Sequence, residues 1–526
     1  MAFCDFCHFI FSLSKKRLER IKTRLYNVSA MKQLNKRFLS FLLAVTALCS
    51  CSNGGSMTTT DDKKTEEPDS SLNGSFEVGD DYHLLDGVEE DIVNGFYDGF
   101  EKLDKNNWSV LKGYWGANNG GVSPENVAIT EDGTLALGGN GLYYSRNDIE
   151  SFGTYKDGRK CGASLISNFA AKPGHYEIRM KVHPRIGSCT AFWTYGNRPV
   201  EGEENENAEI DVELPGGSKS GKITFKKSLY TNWITEKAND SVEIDAKVAD
   251  PMGDTIAYND GKWHTFGFDW YTDPGMVVYF VDGKISNVST TFVPTLAGRL
   301  WVGVWFPNGF TGVAQFEKDY MFVDSIQYTP FLNQPCTDFD AVPSGSLSTM
   351  PDSFYERKPI KTPVANRISN GDFEFVSTLS ENENEFASQL QNKGFEFTKK
   401  ISEKQALKDV CYVEKGTLNN TYSAFVKDGG VLRQSIEAVY DNYAFDYSFQ
   451  AKSADINSSG TVSFLFYGDN DSKVLKTEKV TISSVEAKTY SGSLVAPEGC
   501  EKIVVEARAA STGSKILLDN LVLKGK

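Results

Sequence analysis

Gly174-His175-Tyr176-Glu177-Ile178-Arg179-Met180-Lys181 is a stretch with two unlike faces. Tyr176, Ile178 and Met180, continued by Val182, point one way, while Glu177, Arg179 and Lys181 point the other. That period of two belongs to a half-buried β-strand. The same pattern, broken by turn residues, runs from about Val88 to Phe331. Met276-Val277-Val278-Tyr279-Phe280-Val281 leads into Asp282-Gly283, a strong hairpin signal. Similar units lie at Asn126–Leu137, Trp263–Trp270 and Leu300–Trp305. Amphipathic helical stretches are scarce, so many short strands with regular turns predict an all-β fold, a sandwich of antiparallel sheets.

The chain has 526 residues, enough for two or three domains with cores of their own. Residues 332–366, rich in Pro, Ser, Thr and Asp, are expected to be a linker. Alternation resumes after Asn366, near Asn370-Gly371-Asp372-Phe373-Glu374, and ends in Lys515-Ile516-Leu517-Leu518-Asp519-Asn520-Leu521-Val522-Leu523. Residues 367–526 are therefore expected to form a second, smaller β-sandwich. All 8 Trp lie between Trp108 and Trp305, which assigns large flat ligand surfaces to the region 88–331.

At the other end, Lys32, Lys36 and Arg37 precede an apolar run from Phe38 to Leu48, too short for a permanent membrane span. Leu48 and Ser50 stand three and one residues before Cys51, an arrangement that resembles a bacterial lipobox. Residues 1–51 are thus expected to be a leader and lipoprotein signal with Cys51 acylated, and Met31 is a plausible start. Residues 52–87, opening on a Ser/Thr/Asp/Glu/Gly-rich stretch, are expected to be a flexible tether. The expected location is the bacterial cell envelope, at the outer membrane or cell surface, joined to the membrane through a lipid anchor.

The formal net charge of −15 argues against nucleic acid, whose phosphates call for a basic face, and leaves neutral polymers open. Five cysteines follow Cys51, at wide spacing, and no pair has zinc-ligand spacing. No metal and no cofactor are expected. A disulfide between Cys411 and Cys500 is chemically open in an exported protein.

The chemistry is carried by Glu209-Ile210-Asp211-Val212-Glu213. In a strand, residues two apart share a face and rise about 6.6 Å, so the three acids line one face and Ile210, Val212 and Leu214 the other. The outer Glu Cα atoms then sit roughly 13 Å apart, and inward-leaning side chains bring their carboxyls to about 5–6 Å. That separation suits one carboxylate attacking an anomeric carbon while the other protonates the leaving oxygen. Asp211 sits between them, where it can hydrogen-bond the attacking group. A solvated acidic face is the plainer reading, but three like charges in one row disfavour a strand unless they serve a purpose. The Glu201–Glu206 run is read as a solvated loop.

These residues resemble family 16 of the glycoside hydrolases, the group of lichenases, laminarinases and xyloglucan transglycosylases. Gly174–Lys181 and Ala191-Phe192-Trp193-Thr194-Tyr195 are similar to the strands that precede the family's acidic motif. Trp263–Trp270, Tyr279–Gly283, Trp301–Trp305 and Phe322–Tyr328 resemble those that follow, in the right order over residues 88–331. The resemblance implies a concanavalin-like β-jelly-roll sandwich with an open cleft, and retaining, endo-acting cleavage of β-linked polysaccharide or glycan chains. It implies Glu209 as nucleophile, Asp211 as helper and Glu213 as acid/base. One residue separates Asp211 from Glu213, as in lichenase-like and transglycosylase-like members rather than the bulged laminarinases. Lichenases carry Trp where this chain has Asn207, so an endo-β-galactosidase stays open beside an endo-β-glucanase.

Trp193, Tyr230, Trp233 and Trp305 are the expected sugar-stacking residues, because aromatic faces pack on pyranose C–H faces at low entropic cost. Trp263 and Trp270 are assigned to the core, and His175, His183 and His264 to structure. Residues 367–526 resemble carbohydrate-binding modules, with Tyr440, Tyr443 and Tyr447 as the available platform, and a pure spacer stays open beside that reading. Two alternatives share these features: a non-catalytic surface glycan-binding lipoprotein, and a transglycosylase that uses the same carboxylates.

Overall fold

The computed structural model describes residues 76–113, 121–144, 160–215, 227–235, 237–245, 258, 260–307, 311–340, 350–374, 396–398, 411–416, 418, 422–436, 439, 442–468 and 473–526. Cys51, the leader and most of the tether lie outside the described residues.

Two eight-stranded antiparallel sheets face each other over residues 96–330. The first runs Lys284–Ser289, Met276–Val281, His264–Tyr271, Gly174–Lys181, Lys318–Pro330, Leu135–Asn140 and Val127–Ile129, with Phe96–Asp98 paired to the Lys318–Pro330 strand. The second runs Asn239–Asp245, Lys227–Thr235, Glu206–Pro215, Cys189–Tyr195, Gly298–Trp305, Ala163–Ala171 and Trp108–Val110. Asn197–Arg198 pairs with the start of Glu206–Pro215. The all-β sandwich of antiparallel sheets expected from the alternation is observed, and its jelly-roll form is the one the resemblance implies.

The alternation does its work between the sheets. Tyr176, Ile178, Met180 and Val182 from the first sheet meet Ile210, Val212 and Leu214 from the second in one buried cluster. Each fully buried aliphatic side chain of that kind contributes about 1.5–3 kcal/mol, which pins the register and with it the direction of every outward residue. The hairpin at Asp282-Gly283 forms with positive φ at both residues, 48° and 77°, the geometry that joins two strands through two residues. Trp270 is fully buried and its indole N–H donates to the Pro294 carbonyl at 2.8 Å. Trp263 departs from its core assignment. It precedes the strand on the outer face, half-buried, with Arg179 and Lys181 each 5.1 Å from its ring centroid.

Polar latches hold two flanking segments on this sandwich. The Tyr82 hydroxyl donates to buried Asp269 at 2.9 Å, and His175 Nδ1 meets the same carboxylate at 2.7 Å. In the stretch whose composition suggests a linker, Tyr355 donates to the Trp108 carbonyl at 3.2 Å, and the Ile360 amide donates to the Ile129 carbonyl at 2.9 Å.

Residues 396–525 form two five-stranded antiparallel sheets around a second core that includes Phe445, Phe464, Val505 and Leu518. Gly371 docks against its last strand so closely that a Cβ there would lie 2.1 Å from the Leu521 carbonyl oxygen, so only glycine fits. Tyr443 and Tyr447 are packed against this core rather than splayed as a platform, and Tyr440 lies outside the described residues. The Cys500 thiol is buried and donates to the Lys502 carbonyl at 3.5 Å, so it is not in a disulfide with Cys411. Arg185 ties the two sandwiches together. Its Nε donates to Asp319 at 2.7 Å, and its two terminal nitrogens donate to the backbone carbonyls of Arg367 and Asn366. The amide of Asn370 donates to Glu317 at 2.5 Å across the same junction.

Candidate active site

Glu209, Asp211 and Glu213 lie on the outer face of the Glu206–Pro215 strand, opposite the core face of Ile210 and Val212. The strand is regular through the motif. Glu213, Asp211 and Glu209 pair with Leu229, Thr231 and Trp233 on one side, and Glu213 and Asp211 with Ala191 and Trp193 on the other. The first irregularity falls beyond Trp233, toward Glu206. Glu209 and Glu213 are half-buried and Asp211 is buried.

Among the described residues each carboxyl has one donor. Asn207 Nδ2 donates to Glu209 Oε2 at 2.7 Å, Trp233 Nε1 donates to Asp211 Oδ2 at 3.0 Å, and the Cys189 thiol points at Glu213 Oε1 across 3.6 Å. Burial pushes Glu209 and Glu213 above the usual carboxylate range, to about 7, with the Asn207 and Cys189 bonds opposing it. Asp211 is raised well above the usual carboxylate range, by burial and then by the charges of Glu209 and Glu213. Three acids that cannot all ionise together provide a retained proton beside an available negative charge, which acid-assisted displacement requires.

The expected aromatics divide by strand parity. Trp233 is half-exposed on the carboxylate face and holds Asp211. Trp305 is half-exposed on the same face of its strand, opposite Cys189. Trp193 pairs with Asp211 but is covered: it stacks on Trp301 with ring centroids 5.4 Å apart and joins Leu111, Val122 and Ile166 in a small cluster. It supports the site rather than lining an open surface. Tyr230 is a correction. It pairs with Val212, faces the core at 1% exposure, stacks on Tyr279 at 4.3 Å and accepts a hydrogen bond from Ser286. Residues 230 and 233 have opposite parity in one strand, so they cannot share a face.

Parity also finds residues not anticipated. Trp301, Gly303 and Trp305 alternate on one strand, and Gly303 pairs with Ala191, which pairs with Glu213. The row beside Glu213 is therefore kept small, between one row of indoles and Trp305. Asn207 drew notice only as the residue standing where lichenases carry Trp, and Cys189, the donor to Glu213, had no motif to announce it.

Residues 123–308 match the family model of the glycosyl hydrolases family 16. A β-glucanase of Paenibacillus macerans is 28% identical over 246 residues, 45% of this chain and 86% of that protein. A β-glucanase of Bacillus subtilis (strain 168) is also 28% identical, over 234 residues, 44% of this chain and 81% of that protein. The chain is a glycosidase that hydrolyses O-glycosyl bonds. The solved β-glucanase of Bacillus licheniformis superposes with a TM-score of 0.35 at 21% identity, covering 44% of this chain and 97% of that one. The family 16 match covers the acidic strand and both neighbours it pairs with, and the second sandwich lies outside it.

Proposed function

We propose that the chain is a retaining, endo-acting β-glycanase with Glu209 as nucleophile, Glu213 as acid/base and Asp211 as the nucleophile's helper. The observation that carries this reading is the unbroken strand register that leaves Glu209 and Glu213 flanking Asp211 on one outward face. A regular rise sets the two carboxyls roughly 5–6 Å apart, too close for a water between them and right for direct attack. Glu209 bonds to the anomeric carbon while Glu213 gives its proton to the departing sugar oxygen. Glu213 then takes a proton from water as that water displaces Glu209 with a second inversion. Asp211, protonated between its neighbours, donates to Glu209 and spreads its charge. The β-glucanase names of the relatives favour a β-glucan substrate. The pyranose at the cut would occupy the small row at Ala191 and Gly303, flanked by Trp305.

The same proposal extends to the whole protein. Cys51 is acylated and holds the enzyme at the bacterial envelope, and residues 367–526 contact glycan away from the cleft.

The test is stereochemical. The parent enzyme should release product of retained anomeric configuration when followed by NMR. Glu209→Ala should be inactive and be rescued by azide with inversion. Glu213→Ala should still react with a substrate bearing a good leaving group, and azide should then give retained product. Inverted product from the parent, or full activity in both variants, would remove the pair from the mechanism.

A further inference from the structure

The two working glutamates share one strand and one face, both flank Asp211, and burial raises both alike. They differ in the donor each receives. Asn207, two residues before Glu209 and on its face, gives a short amide bond of 2.7 Å to Oε2. An amide N–H at that distance from a carboxylate is a charge-assisted bond and strongly favours the ionised form. Among the described residues Glu213 receives only the fully buried Cys189 thiol at 3.6 Å, and a thiol is a weak donor.

The Asn207 side chain also carries a cost that its own fold does not explain. It is 5% exposed, and its Oδ1 is buried with no hydrogen-bond partner among the described residues. An amide placed for folding alone would satisfy both ends, because an orphaned buried acceptor costs about 1–3 kcal/mol. The side chain is set by Glu209. Apart from Asp211, whose proposed bond to Glu209 acts in the same sense, the titrating groups among the described residues do not supply the difference. Ala191, Trp193, Leu229, Thr231 and Trp233 face the three acids from the neighbouring strands, and none of them titrates. Among the described residues Asp211 and Cys189 are the titrating groups in contact with the pair, and Arg198 and Glu206 at the strand's start are paired with each other.

We propose that Asn207 and Cys189 are positioning residues that break the symmetry of the glutamate pair: the amide fixes the negative charge on Glu209, and the weak thiol leaves the proton on Glu213. This rests on the nucleophile and acid/base roles proposed above.

The experiment uses the full chain and a soluble β-glucan, with kcat and KM measured across pH and melting temperatures recorded for every variant. The acid limb of kcat/KM reports the ionisation of Glu209 and the alkaline limb the proton on Glu213, as macroscopic values of the pair. Asn207→Ala should move the acid limb up by about one to two pH units. It should lower kcat at neutral pH about ten- to hundredfold with KM nearly unchanged. Asn207→Asp, which keeps the shape and adds a charge, should move the same limb further up. Cys189→Ser, a stronger donor, should move the alkaline limb down, and Cys189→Ala should move it slightly up. Limbs that stay put in variants melting like the parent would overturn the proposal, as would an alkaline rather than acid shift in Asn207→Ala. Azide rescue of Glu209→Ala, run alongside, separates the failures. If rescue gives inverted product while the limbs do not move, only the donor assignment falls. If rescue fails, the role assignment falls and takes the donor assignment with it.

Discussion

Glu213 illustrates the conflict that one side chain can carry between folding and catalysis. Burial raises its carboxyl to about 7, so the folded protein binds a proton there that the unfolded chain releases near 4.5. The folded state therefore holds more protons across that interval, and stability falls as pH rises through it. Glu213→Gln removes the ionisation while keeping the shape. Its melting temperature should match the parent near pH 4, exceed it increasingly from pH 5 to about pH 7, and keep a nearly constant margin above that, read by calorimetry. Its kcat on a natural polysaccharide should drop by about 10²–10⁴-fold. A variant no more stable than the parent at pH 8 would show that the site accommodates the charge. At this scale the sequence was legible where parity was counted. Alternation placed all three acids outward, and the same count separates Tyr230 from Trp233 and adds Trp301 to Trp305. Cys189 could not be read, because its meaning depends on which strand lies beside which: it pairs with Pro215 and reaches Glu213 from the neighbouring strand. Asn207 shares a face with Glu209 two residues on, so its nearness was legible and only the aim of its amide was not.

At the scale of elements, turns and strand periods carried most of the information. The hairpin at Asp282-Gly283 needed only two residues with positive φ, and the dipeptide advertises that. The segment from residue 350 to 362 is the counterexample. Its composition reads as a linker, yet Phe354 and Tyr355 pack against the first core and Ile360 bridges to Thr130. Composition measures an average tendency toward loops, whereas a few well-placed aromatics can dock a segment that forms almost no regular structure. A chain ending after Phe331 should accordingly melt on the order of 5 °C below one ending after Thr362, since burying two aromatic side chains is worth a few kcal/mol. Equal melting temperatures by differential scanning calorimetry would show that the docked segment adds nothing to the sandwich.

For the molecule as a whole, two folded sandwiches follow about 75 residues for which no structure is described. The lipobox-like Leu48-Cys49-Ser50-Cys51 predicts that labelled fatty acid enters the full-length protein and that it sediments with membranes. Cys51→Ala should abolish the label and release the protein or leave it unprocessed. Equal sedimentation of the variant, with no label on the parent, would remove the anchor from the account.

The Arg185 junction has a consequence for how such an enzyme meets a long chain of sugars. Three donors from one guanidinium hold the carboxylate of Asp319 and two successive carbonyls at the entry to the second sandwich. A fork held at three points leaves little room for a hinge. Whatever the smaller sandwich touches is then touched at a constant offset from Glu209, and the pair behaves as a ruler rather than as two beads on a string. With the smaller sandwich on glycan, as proposed, docking one end would place the other without a second search, and geometry rather than linker length would set the local concentration of cleavable bonds.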